Sequence, residues 1–100
     1  MKKIIKTNNA PEAIGPYSQA ILSNNTLYCS GQIAINPDTG DLVLDNITNE
    51  TTQIMNNILG VLESAKMDFS NVVKCSIFMK NMKDYNEINK VYSNFFTKNF

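Results

Sequence analysis

The side chains able to do acid–base or nucleophilic work in this chain form a short set. They are nine Asp plus Glu, nine cations, two Cys, four Tyr and the Ser and Thr hydroxyls. His is absent, so no Ser–His or Cys–His pair and no His metal ligand exists in these 100 residues. Arg is absent too, and every cation is a Lys, which leaves no bidentate guanidinium to grip a carboxylate or phosphate. Chemistry here falls to carboxylates, amides, hydroxyls, Lys, Cys or the backbone. Two stretches set polar groups beside glycine. Tyr17 follows Gly15-Pro16, and its ring and hydroxyl suit either a cleft wall or a half-buried strand position. Ser30-Gly31-Gln32 offers a hydroxyl, a backbone a ligand can approach closely, and an amide. The same three also read as a strand-end Ser, a bulge Gly and an exposed Gln.

The remaining candidates are blander. Cys29 (in Leu27-Tyr28-Cys29-Ser30) and Cys75 (in Lys74-Cys75-Ser76-Ile77) read as two small buried residues rather than nucleophiles. Lys74 reads as a solvated strand Lys. Without a dense cysteine framework the chain suits a reducing compartment. Met1-Lys2-Lys3-Ile4-Ile5-Lys6 lacks the apolar stretch of a signal peptide, and no run approaches the ~20 apolar residues of a membrane span. A cytoplasmic address is the default expectation. Zero net charge argues against a nucleic-acid or membrane-surface binder that works by bulk charge.

The elements that must position these groups follow from periodicity. Residues 17–22 and 26–31 read as strands joined at Ser23-Asn24-Asn25, since Asn tolerates the left-handed conformation of tight hairpins. Asn36-Pro37-Asp38-Thr39-Gly40 is a second turn, with a short third strand expected near 42–44. Ile47, Ile54, Ile58, Val61, Leu62 and Ala65 mark one face of a helix, capped by Asp45 or Asn46, with Lys66 at its negative end. Gly60 inside that helix costs about 1 kcal/mol relative to Ala, which suggests close packing against a neighbour. Residues 72–80 alternate as a strand, with Val73, Cys75, Ile77 and Met79 on the apolar side. Asp84-Tyr85-Asn86-Glu87 has capping-box spacing, and the helix after it should bury Tyr85, Ile88, Val91, Tyr92, Phe95 and Phe96. A helix between strands implies a crossover and some parallel pairing. The whole reads as a single α/β (α+β) domain, 1–100, with two helices on one sheet face. Its topology looks unfinished, because so aromatic a last helix needs a broad sheet.

Ala13-Ile14-Gly15-Pro16-Tyr17-Ser18-Gln19-Ala20, Ser30-Gly31-Gln32-Ile33 and Asn36-Pro37-Asp38-Thr39-Gly40 together resemble the RidA/YjgF family. Val72-Val73-Lys74, Phe78-Met79-Lys80, Asp84-Tyr85, Ile88-Asn89-Lys90-Val91-Tyr92 and Phe95-Phe96 continue the likeness in register, from about residue 3 to residue 100. These are imine/enamine deaminases, long labelled endoribonuclease L-PSP or translation inhibitor. The resemblance implies a chorismate-mutase-like mixed sheet, a homotrimer with sites in clefts between subunits, and hydrolysis of short 2-imino acids to 2-oxo acids and ammonia. It implies no metal or organic cofactor. It assigns Tyr17, Ser30, Gly31 and Asn89 to catalysis, and Tyr17, Gly31 and Gln32 to substrate binding, with Asn89 near the site on the second helix.

Family members continue past the aromatic helix with a Pro-Ala-Arg segment and two more strands. Their Arg grips the substrate carboxylate. The 100 residues are therefore expected to be C-terminally incomplete, the alternative being a shortened protein with a rearranged sheet. On their own they should show weak or no deaminase activity, because only Lys or backbone amides remain to hold the acid group. Two other classes stay in view: an endoribonuclease or translation inhibitor, and a non-catalytic trimer that binds small carboxylates. The lack of Arg and His weighs against the first.

Overall fold

The computed structural model describes residues 2–12, 18–72, 75–76 and 82–96. Three antiparallel strands, β1 (Lys2–Ile5), β2 (Ala20–Ser23) and β3 (Thr26–Cys29), lie in that order across one sheet. Helices α1 (Ile47–Ser64) and α2 (Tyr85–Phe95) complete an α+β arrangement. The β2–β3 hairpin forms where the Asn pair requires it. Asn24 and Asn25 have φ of 49° and 67°, and Ser23 pairs with Thr26 around them. Two successive left-handed residues match the strand twist, so the register is fixed from the turn outward. Pairing sets Ile5, Ala20 and Cys29 on one sheet face and Ile4, Ile21 and Tyr28 on the other.

Helix α1 covers the first of these faces. Val61 is wholly buried against Ile5, Ala10 and Ala20, with Leu22, Leu27 and Ala65 around them. Gly60 is the point of closest approach. A Cβ there would run into the Asn9 carbonyl oxygen and lie 2.9 Å from its carbon, which confirms close packing and explains the glycine. Asn46, with extended backbone, caps the helix by accepting from Asn49 N–H at 2.8 Å. The other end closes in a Schellman turn: Lys66 donates to Glu63 O and Met67 to Leu62 O. Lys66 therefore supplies the left-handed residue (φ 61°) after the helix rather than a charge within its last turn.

On its other side α1 meets α2 and a 3₁₀ turn, Phe69–Asn71. Met55, Leu62 and Phe69 are buried there, and Phe69 meets Phe95 and Phe96 edge-on at centroid distances of 5.4 and 5.1 Å.

Several expectations are corrected. Strand β1 lies in a stretch whose Lys-Lys-Ile-Ile order lacks alternation, and the sequence reading missed it. The strands of the hairpin are shorter than expected, 20–23 and 26–29. The short strand near 42–44 is a single bridge, Ile35 to Leu42. Asp84 makes no side-chain cap bond, because a 3₁₀ turn (Met82–Asp84) runs into α2 and leaves it helical, and Glu87 instead accepts from Thr48 Oγ1 at 3.0 Å. The capping box sits at Asp68, whose backbone N–H donates to Asn71 Oδ1 while its side chain accepts from Ser70. Tyr85 is 51% exposed, not buried. Cys29 and Cys75 are both exposed free thiols, not core. By register Cys29 belongs to the helix-covered face, but it ends β3, the outermost described strand on that side. Most of the expected strand 72–80 lies outside the described residues, as does Lys74. All pairing among the described strands is antiparallel.

Candidate functional site

Ser30 follows the last residue of β3 and continues its ladder. Its N–H donates to Gln19 O at 3.0 Å, one step beyond the Ala20–Cys29 pair. Its hydroxyl donates to Ser18 O at 2.6 Å. The serine is thus held by two bonds to the neighbouring chain, and with its proton committed its oxygen is left to accept.

Gly31 comes next and is exposed. A Cβ placed on it would meet nothing within 4 Å among the described residues, and its φ lies outside the left-handed region. No described residue crowds that position. Gln32 is half-buried, and its Nε2 makes a long bond of 3.4 Å back to Ser30 O.

These three residues form one stretch, Ser30–Gly31–Gln32. Asn89 stands exposed on α2, and no hydrogen bond among the described residues joins it to them. Tyr17 lies outside the described residues.

Two buried amides tie down the surroundings of this stretch, and sequence reasoning gave neither of them a role. Gln19, 5% exposed, accepts from Thr7 N–H at 2.6 Å and donates to Thr7 O, Ala10 O and Pro11 O, which holds the loop after β1 against β2. Asn57, 1% exposed, projects from α1 and donates to Ile33 O at 3.1 Å and Ile35 O at 2.8 Å. For Asn57 the available signal was a polar residue set within an apolar helical stripe. A buried amide is costly unless every group is paired, and both are.

Although Cys29 is exposed by area, partial desolvation of its thiol and then the nearby Cys75 push its pKa up, away from the reactive thiolate. Desolvation, then the charge of Cys75 and a hydrogen bond with it, likewise raise Tyr92. Among the described residues no three His, Cys, Asp or Glu side chains group as a metal site, and no helix is long and apolar enough to cross a membrane. A cleft of about 260 Å³ beside β1 includes Lys6, Glu12, Ser18 and Gln19 in its lining, but none of Ser30, Gly31, Gln32 or Asn89.

A small antiparallel sheet backed by two helices, with a serine–glycine–glutamine exit from the third strand, defines a class for which relatives are plentiful. The Endoribonuclease L-PSP family model matches residues 7–100. The chain belongs to this family, the RidA/YjgF proteins. It is 41% identical over 100 residues to human 2-iminobutanoate/2-iminopropanoate deaminase, covering all of this chain and 73% of the relative. A Rid-family protein of Yersinia pestis, YyfA, superposes with a TM-score of 0.96 at 47% identity, over 100% of this chain and 79% of that one. Escherichia coli TdcF, solved with bound serine, gives 0.91 at 32% identity, over 95% and 74%.

Proposed function

We propose that this protein hydrolyses short 2-imino acids, such as 2-iminopropanoate, to the 2-oxo acid and ammonia. The observation that carries the reading is 41% identity across all 100 residues to the human enzyme named for that reaction. The open backbone at Gly31, next to a serine held by two bonds, supports it. Water adds to the carbon of the protonated C=N bond, and the tetrahedral carbinolamine then expels ammonia. One water enters and one ammonia leaves, with no redox change.

Catalysis of this step needs an anchored carboxylate, a protonated imine nitrogen and a placed water. In our reading Gly31 lets the planar substrate lie close to the backbone, and the Ser30 oxygen accepts from the iminium N–H or from the water. Tyr17, Gln32 and Asn89 complete the cleft, which lies between subunits of a homotrimer. No cofactor takes part. Within residues 1–100 the carboxylate falls to Lys or to backbone N–H groups, since Arg is absent.

The test is loss of 2-iminopropanoate generated in place by an amino-acid oxidase, with Ser30→Ala and Gly31→Val beside the parent. The parent should accelerate hydrolysis only weakly, since residues 1–100 offer no Arg to hold the carboxylate. Ser30→Ala should lower the rate by about 10²-fold, the lower end of what one positioned acid–base group contributes, and Gly31→Val should abolish binding of 2-oxobutanoate. Cleavage of RNA by the pure protein, with no effect on the imine, would favour the family's endoribonuclease description instead.

A further inference from the structure

We infer that Asn57 is a positioning residue for the Ser30–Gly31–Gln32 stretch, acting from helix α1 through the two carbonyls that follow that stretch. The inference rests on the functional reading above.

The chain leaving Gln32 makes a tight turn at once. Ile35 N–H donates to Ile33 O at 2.8 Å across the buried Ala34. Asn57 clasps both ends of this turn, with one amide hydrogen to Ile33 O and the other to Ile35 O. Ile35 O takes no other hydrogen bond among the described residues. Two carbonyl acceptors can be met only by the NH₂ side of the amide, so its orientation is fixed. The remaining oxygen accepts from Gln53 Nε2 at 2.9 Å, one helical turn earlier.

Upstream, Ser30 is pinned to Ser18 and Gln19. Gly31 and Gln32 thus span two anchors, the β2 ladder on one side and Asn57 on the other. Gly31 itself makes no hydrogen bond among the described residues, so its place is set by those anchors. Within helix α1 the amide meets only Gln53, through its oxygen. Both donors serve residues 24 and 22 positions away.

The decisive variant is Asn57→Asp, which keeps the shape but sets a carboxyl against two carbonyls. Val61→Ala is the control, since Val61 is buried on the same helix but packs on Ile5, Ala10 and Ala20 instead. Gln53→Leu is the milder variant, to be read if Asn57→Asp does not fold. At a temperature where each variant is folded, Asn57→Asp should lower kcat on 2-iminopropanoate at least tenfold and Gln53→Leu about threefold, with Val61→Ala within twofold. Amide hydrogen exchange at Gly31, Gln32 and Ile33 should speed up at least tenfold in Asn57→Asp, severalfold in Gln53→Leu, and not in Val61→Ala. Equal effects from the Asn57 or Gln53 variant and Val61→Ala, or none from any, would overturn the inference. If the parent is inactive, the functional reading fails, and the exchange rates alone still decide whether Asn57 positions the stretch.

Discussion

Helix α1 is packed in two different ways on its two sides. Toward the sheet, small residues bring backbones together: Gly60 lies against the Asn9 carbonyl, and Val61 fills the space among Ile5, Ala10 and Ala20. Toward α2, large side chains fill the gap, with Phe69 edge-on to Phe95 and Phe96 and Tyr92 tilted against Phe96 at 4.6 Å. The first kind of contact has no slack, because a backbone carbonyl cannot rotate away. The second can readjust by rotamer changes. The proposed site lies at the end of the rigid side, where strand ladder and buried amides fix the backbone. What distinguishes the two sides is therefore tolerance to change more than burial.

The largest expected effect comes from emptying the adaptable side. Phe69→Ala should cost about 3–5 kcal/mol, while Phe69→Leu, which keeps most of the volume, should cost less than about 1.5 kcal/mol. Urea unfolding of both variants measures the gap, and equal losses would show that the aromatic side is as rigid as the other.

Gly60→Ala probes the rigid side. Helix propensity favours it by about 1 kcal/mol, whereas overpacking against a backbone costs about 1–3 kcal/mol. The clash should win, with a net loss of about 1 kcal/mol and a Tm lower by roughly 4–8 °C. A stabilised variant would mean that Asn9 can move aside.

Asn46→Ala removes the cap of a helix shared by both sides. It should cost about 1 kcal/mol and raise hydrogen exchange in the first turn of α1 without favouring either side.

The smallest effect is an acid dependence on the aromatic side alone. Hydrogen bonds from the Ser70 side chain and backbone hold the Asp68 carboxyl below the usual carboxylate range. A depressed folded pKa contributes stability that is complete above the unfolded pKa of about 4 and is lost as the pH falls through the folded value. Asp68→Asn should flatten that small dependence below about pH 4, read as tyrosine or aromatic-proton signals of the Phe69 cluster.

These contrasts also show what was readable beforehand. The hairpin was legible because Asn24-Asn25 names a left-handed turn, and Gly60 was legible because glycine inside an apolar helical stripe needs a reason. Asp84 and Asp68 were not distinguishable as caps by spacing, since the choice depends on the backbone entering each turn. Cys29 reads as core because its neighbours are apolar, yet its exposure depends on what lies beside β3. At the proposed site, Ser30, Gly31 and Gln32 were legible as a contiguous motif. Gln19 and Asn57 gained no role because an amide's value lies in partners far along the chain, here 8–12 and 22–24 residues away.

The central claim is that the Ser30–Gly31–Gln32 stretch serves imine hydrolysis. Its most direct test is the rate of 2-iminopropanoate loss with purified protein, compared with Gly31→Val at equal concentration and verified fold. The account predicts weak but measurable acceleration by the parent and a loss of at least tenfold in the variant, because a side chain at 31 fills the approach to the backbone. Acceleration unchanged by Gly31→Val, or none by the parent, would contradict it.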